Sequence, residues 1–181
     1  MTSIRRKRFK RSQALQRYEK HRRRNLLAKP GPSAFVIVLD HLKAGFNVPK
    51  IFRSAQAFGA AEVHLINVDP FDPSPAKGAF RAVPARFFDE FDDSYRDLRG
   101  RGYSLFTLEP AGGSSLYECA LPLRSAFVFG HEEVGLSFDP REFPDIRSLT
   151  IPQVGKVQSL NVSVAASIVM YEHVRRHQRL T

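Results

Sequence analysis

Seven consecutive residues, Ala34 to Asp40 (AFVIVLD), are apolar up to the last, with no polar residue alternating among them. A half-exposed strand alternates, so an unbroken run of strand length predicts a strand covered on both faces by helices, as in a parallel sheet. The residues that follow agree. After a polar loop, Asn47 to Phe58 places Ile51, Ala55 and Phe58 at helical spacing, with Pro49 in the first turn and Gly59 as a stop. Glu62 to Val68 reads as a second strand, and Asp69 to Ala79 as a loop broken by Pro70, Pro73 and Pro75. A helix over Asp89 to Arg99, strands at Tyr103 to Leu108, Ser125 to Phe129 and Ser148 to Ile151, and a last helix from Ser159 to His177 complete the pattern. This alternation predicts an α/β domain with a mostly parallel sheet flanked by helices, and places a ligand crevice outside the carboxyl ends of its strands. The 181 residues suffice for one such domain plus an extension.

The extension is set apart by charge. Residues 1–30 hold 12 Lys/Arg and a single acid, Glu19, whereas residues 31–181 hold 16 basic and 17 acidic residues. The chain therefore divides into a basic N-terminal arm, residues 1–30, and a nearly neutral body, residues 31–181. Within the arm, Ser12 is a candidate N-cap for a helix over Gln13 to Lys29, with Leu15, Tyr18 and Leu26 as a thin contact stripe. A Lys/Arg cluster gains affinity for polyanions by releasing condensed counterions, so nucleic acid is the expected partner. No run approaches the ~18 apolar residues of a spanning helix, and no secretory h-region follows Arg5-Arg6-Lys7-Arg8, so no membrane role is expected. Cys119 is the only cysteine, which fits a reducing cytoplasm. An arginine-rich leader poor in acids is also the composition of an organellar transit peptide.

Common site templates do not match. There is no G-x-x-x-x-G-K-[ST], and Gly100-Arg101-Gly102 precedes a strand instead of following one. Gly112-Gly113-Ser114-Ser115 lacks a nucleophile frame and reads as a turn. His173 and His177 are spaced i, i+4, but beside Arg175 and Arg176 they read as a solvated basic end, and no metal site is expected.

Three loops carry unusual chemistry. Asn47 and Arg53 lie near the start of one helix, about 120° apart around its axis. An arginine after Ile51 and Phe52 either snorkels from a packed face or addresses an anion. In Gly130-His131-Glu132-Glu133-Val134-Gly135, glycines flank a carboxylate at a strand end and permit close backbone approach. In Ile151 to Asn161 (IPQVGKVQSLN), Ser159 is a candidate N-cap, and the small residues after it allow close helix packing.

Taken together, N-x-x-x-I-x-R (Asn47, Ile51, Arg53), G-x-E-x-x-G (Gly130, Glu132, Gly135) and I-P-x-x-G-x-V-x-S-L-N-V-S-V-A (Ile151 to Ala165) resemble the three motifs of the SpoU, or TrmH-like, RNA 2′-O-ribose methyltransferases of the SPOUT superfamily. They occur in the family's order and span residues 35 to about 173. Pro49 stands where many members have a small residue, and Ser54 where Thr is common. The resemblance implies an α/β knot, in which the C-terminal segment threads a deep trefoil, and a homodimer. It implies S-adenosylmethionine as cofactor, held largely by backbone groups at Thr107, Leu108, Gly130, Ile151 and Leu160. It assigns catalysis to Arg53, Asn47, Glu132, Ser159 and Asn161. A guanidinium stays charged at neutral pH, so Arg53 is best placed to anchor phosphate and stabilise a developing alkoxide. Asn47 then orients Arg53 or the ribose, Glu132 positions loop or arginine, and Ser159 with Asn161 holds the site together. The substrate class implied is tRNA or rRNA, with the arm and Arg175, Arg176 and Arg179 supplying phosphate contacts. Two rivals remain from the residues: a catalytically idle RNA-binding or assembly protein with the same fold, and a DNA-binding module resting on charge alone.

Overall fold

The computed structural model describes the backbone of residues 3–178 and the side chains of residues 11–178. In chain order the elements are α1 (Ser3–Asn25), β1 (Phe35–Asp40), α2 (Asn47–Ala57), β2 (Glu62–Ile66), β3 (Ala85–Phe88), α3 (Phe91–Gly100), β4 (Ser104–Leu108), β5 (Ser114–Ser115), β6 (Ser125–Phe129), β7 (Arg147–Thr150) and α4 (Val162–His177), with three short 3-10 turns between them. All seven strands join one sheet in the order β3-β2-β1-β6-β4-β7-β5, and every pairing is parallel.

The unbroken apolar runs explain the layering. Every residue of β1 and β6 is buried. Phe35, Ile37 and Leu39 join the core beneath α2 and α4, while Val36 and Val38 join the opposite core with Phe91 and Leu98 of α3. Successive side chains of a strand point to opposite faces, so a run apolar at every position fits only a sheet with helices on both sides. The expected α/β architecture is therefore present.

Several boundaries differ from expectation. Strand β3, missed in the sequence, is a half-buried edge strand of four residues. The Gly112–Ser115 stretch, expected as a turn, supplies the two-residue strand β5 against Leu149 and Thr150 of β7. Helix α1 begins at Ser3 and runs through Ser12, which is therefore not its N-cap, and it ends at Asn25 instead of Lys29. Of its expected contact stripe only Tyr18 is buried; Leu15 and Leu26 are exposed. Tyr18 stacks on Phe80 and meets Phe71 edge-on, and Asn25 donates to the carbonyls of Phe80 and Val83 while accepting from the Ala85 N–H. The C-terminal half of the basic helix is thus docked on the segment between β2 and β3.

The end of α4 is only in part the solvated tip that its sequence suggests: Arg175 and His177 are exposed, but His173 and Arg176 are not free in solvent. His173 is buried, with its ring against Phe35 and Phe127 and its Nε2 bonded to the Leu123 carbonyl at 3.0 Å. Arg176 donates to the carbonyls of Leu116 and Cys119 and pairs with buried Glu172, which also binds Arg175. Arg176 is therefore engaged in holding the chain beside α4, while Arg179 lies outside the described residues.

Candidate active site

The three unusual loops converge where β1, β6 and β7 end. Buried Asp40 terminates β1, and its carboxylate accepts from the Ser137 N–H at 2.6 Å, the Ser137 hydroxyl at 2.7 Å and His41 Nδ1 at 2.8 Å. One side chain thereby ties the loop after β6 to the end of β1. That loop closes on itself through reciprocal hydrogen bonds between the backbones of His131 and Gly135. A Cβ on Gly130 would sit 2.6 Å from the Gly135 carbonyl, so only glycine admits this turn.

The turn presents Glu132 to the start of α2. Asn47 Nδ2 donates to Glu132 Oε1 at 2.9 Å, and the Lys43 N–H approaches Oε2 at 3.4 Å. Burial raises the pKa of this carboxyl, but the Asn47 amide, backbone N–H groups and His131 outweigh it and hold Glu132 below the ordinary carboxylate value. Asn161 completes the chain of contacts by donating from Nδ2 to Asn47 Oδ1 at 3.2 Å. Its own Oδ1 accepts from the Ser163 N–H at 3.0 Å and the Ser163 hydroxyl at 2.6 Å, which makes Asn161 the N-cap of α4. The expected cap, Ser159, lies three residues before the helix. Ser54 and Ser167 meet at 2.8 Å between α2 and α4, where small side chains let the helices approach.

Behind this polar cluster lies a cavity of about 670 Å³. Leu108, Gly130, Ile151 and Leu160 line it, as do Glu132, Ser159 and Asn161. Thr107 is one step back: it is buried within β4 and paired with Val128 and Ser148. Arg53 is elsewhere. It lines a second depression, of about 780 Å³, between α2 and α4, together with Lys50, Lys77 and Tyr171. Asn47 bonds to Glu132 and Asn161 and not to Arg53, whose side chain has no ion-pair or hydrogen-bond partner among the described residues.

Sequence reasoning did not single out Gln153 and Glu109, which also line the first cavity. Gln153 Oε1 is buried without a partner, and burial raises the Glu109 carboxyl pKa. Nor did it single out Asp40, although an acid ending a wholly apolar run is a usable signal, since a buried charge needs partners. Glu62, His64 and Asp97 form a cluster of ligand type, but the Arg101 guanidinium binds both carboxylates and Arg86 binds Asp97. These cations already occupy the carboxylate oxygens a metal would use.

The SpoU rRNA methylase family model matches residues 34–171. The chain is 31% identical over 168 residues to a 23S rRNA (guanosine-2′-O-)-methyltransferase, RlmB, of Xylella fastidiosa, covering 90% of this chain and 67% of that one. It is 29% identical over 168 residues to the tRNA (guanosine(18)-2′-O)-methyltransferase of Thermus thermophilus, covering 89% of this chain and 85% of that one. The SpoU methyltransferase AviRb of Streptomyces viridochromogenes, solved in complex with AdoMet, superimposes with a TM-score of 0.73 at 25% identity, covering 83% of this chain and 61% of that one. With the three motif loops assembled around one cavity and a family match over most of its length, the chain belongs to the SpoU rRNA methylase family.

Proposed function

We propose that the protein transfers a methyl group from S-adenosylmethionine to a ribose 2′-hydroxyl of tRNA or rRNA. The observation that carries this reading is the hydrogen-bonded array Asn161–Asn47–Glu132 at the edge of the 670 Å³ cavity, in a chain of the SpoU family. The idle RNA-binding alternative is not favoured, because the relatives are named as methyltransferases and the polar residues of all three motifs are present.

The cavity fits the cofactor. Its volume lies in the ordinary range for small-ligand pockets, Leu108, Ile151 and Leu160 give apolar walls for an adenine, and the orphaned Gln153 Oε1 awaits a donor. Glu109 and Glu132 suit a cationic ligand. When bound, S-adenosylmethionine supplies an electrophilic methyl group on a sulfonium. The protein's own residues do the rest. Gly130 and the backbone at Leu108, with Thr107 supporting them from within β4, would hold the cofactor, Glu132 stays ionised in the grip of Asn47, and Ser159 with Asn161 fixes the third loop. Arg53, unpaired within the described residues, anchors an RNA phosphate and stabilises the alkoxide that develops on the ribose.

The finer architecture follows the family. We infer a trefoil knot in the C-terminal segment, supported by the insertion of β7 between β4 and β5, both of which precede it in the chain. A homodimer is supported by Val164 and Tyr171, exposed on the face of α4 beside Arg53. Residues 1–30 serve as a basic RNA-contacting arm and residues 31–181 as the methyltransferase domain. No described helix is long and apolar enough to cross a membrane. The single cysteine, Cys119, supports assigning the protein to a reducing cytoplasm. Calorimetric titration of the full chain with S-adenosylmethionine tests the cofactor assignment: saturable binding lost in Gly130→Val is expected, and no binding by the wild type contradicts it.

A further inference from the structure

The loop between β1 and α2 grips Glu132 from two sides, through the Lys43 N–H and the Asn47 side chain. Phe46 sits inside that grip, directly before Asn47, and is 75% exposed. No aromatic ring packs against it among the described residues, whereas Phe35, Phe52, Phe80, Phe106 and Phe127 are fully buried. The other two motif loops also expose large apolar side chains: Val134 beside Glu132, and Val154 and Val157 before Ser159. Leaving a phenyl ring in water forgoes the free energy of burying it. Here that ring directly precedes Asn47, whose hydrogen bonds reach Glu132 and Asn161, two residues that line the cavity.

We propose that Phe46 is the stacking platform for the nucleobase whose ribose is methylated. The proposal rests on the RNA 2′-O-methyltransferase reading and adds a substrate-positioning residue to it. A ribose inside folded RNA reaches the cavity only when its nucleotide leaves the base stack, and the exposed base then needs a new partner for its π-face. Aromatic side chains are the usual partner for unstacked RNA bases, and they accept any base because every base has such a face. Placing the base on Phe46 puts its ribose beside Asn47, where the polar array begins.

The test compares wild type with Phe46→Ala, Phe46→Leu and Phe46→Trp, using unmodified tRNA transcripts and rRNA fragments. Methyl transfer is measured at varied RNA, and RNA affinity by fluorescence anisotropy. Alanine and leucine are expected to raise KM for RNA and weaken RNA binding by roughly 5- to 100-fold, with KM for S-adenosylmethionine unchanged and tryptophan restoring both. Wild-type RNA affinity in the leucine variant overturns the proposal, because leucine keeps apolar area but has no π-face. Conversion of the alanine variant from dimer to monomer in sedimentation also overturns it, in favour of a second copy of the chain on Phe46. A wild type that methylates neither RNA, yet loses RNA affinity in the alanine and leucine variants, removes the enzymatic reading and keeps the stacking platform.

Discussion

Asn47 and Glu132 are 85 residues apart in the chain, yet the amide of one donates to the carboxylate of the other at 2.9 Å. A hydrogen bond to a charged group contributes about 1.5–3 kcal/mol, and this exposed pair belongs at the low end of that range. Asn47→Ala and Glu132→Ala are each expected to lower kcat/KM roughly tenfold or more, with the double variant no worse than the poorer single one. Steady-state kinetics of all four proteins check this. Strictly additive losses would mean that the two residues act independently.

Asn161 has two separable duties. Its Oδ1 caps α4 and its Nδ2 reaches Asn47. Asn161→Ala removes both and is expected to cost about 1 kcal/mol of stability together with activity. Asn161→Asp keeps a capping oxygen but loses the donor to Asn47, so its urea midpoint should match the wild type while methyl transfer falls. A stable, fully active Asp variant would refute the role of the Nδ2 contact.

Burial holds the His173 imidazole pKa down to about 4, with His177 adding to the effect, against an ordinary value of 6.5. The unfolded chain therefore binds the extra proton first as pH falls. This stabilisation is complete above about pH 6.5 and is lost progressively toward pH 4. Between pH 7 and pH 5 the loss amounts to about 2 kcal/mol. His64, also lowered by burial, acts in the same direction, so His173→Phe should flatten the dependence without abolishing it. Urea unfolding at the two pH values measures the slope, and an unchanged slope in the variant contradicts the assignment. Glu172, held at about 2 chiefly by its hydrogen bond to Arg175, adds its own loss only below about pH 4.5.

The basic helix cannot be removed as one piece. Tyr18 and Asn25 anchor it to Phe80 and Val83, so deletion of residues 1–28 uncovers apolar surface and strands two carbonyls. Tyr18→Ala alone is expected to cost about 3 kcal/mol. Deletion of residues 1–10, which removes five Lys/Arg, should leave the melting curve close to wild type, weaken RNA binding and flatten its salt dependence. An unchanged salt slope would show that these cations do not contact RNA.

The central strands were legible because AFVIVLD and SAFVF are apolar at every position, a pattern only a doubly covered strand satisfies. The edge strands were not. Ser114 and Ser115 carry no strand signal of their own and are extended because β7 lies beside them. Ser159 was the expected cap of α4, but the helix starts later and Asn161 caps it, because its Oδ1 reaches the Ser163 N–H. The motif residues of the three loops were identifiable from their resemblance to the family's three motifs. The separation of Arg53 from the cavity lined by Glu132 and Asn161 was not, since a 120° offset on a helix does not say which neighbour each face meets. His173 looked solvated beside two arginines; only the packing of Phe35 and Phe127 around it reveals a core position.

The most direct measurement is nucleoside mass spectrometry after incubating wild type and Arg53→Ala with methyl-labelled S-adenosylmethionine and separate pools of unmodified tRNA and rRNA. The account predicts a labelled 2′-O-methylnucleoside from one pool with the wild type. It predicts at least about a hundredfold less product from Arg53→Ala with cofactor affinity unchanged, because Arg53 lies outside the cofactor cavity and acts on developing charge. A label found on a base instead of a ribose, or full turnover by a well-folded Arg53→Ala protein, would contradict it.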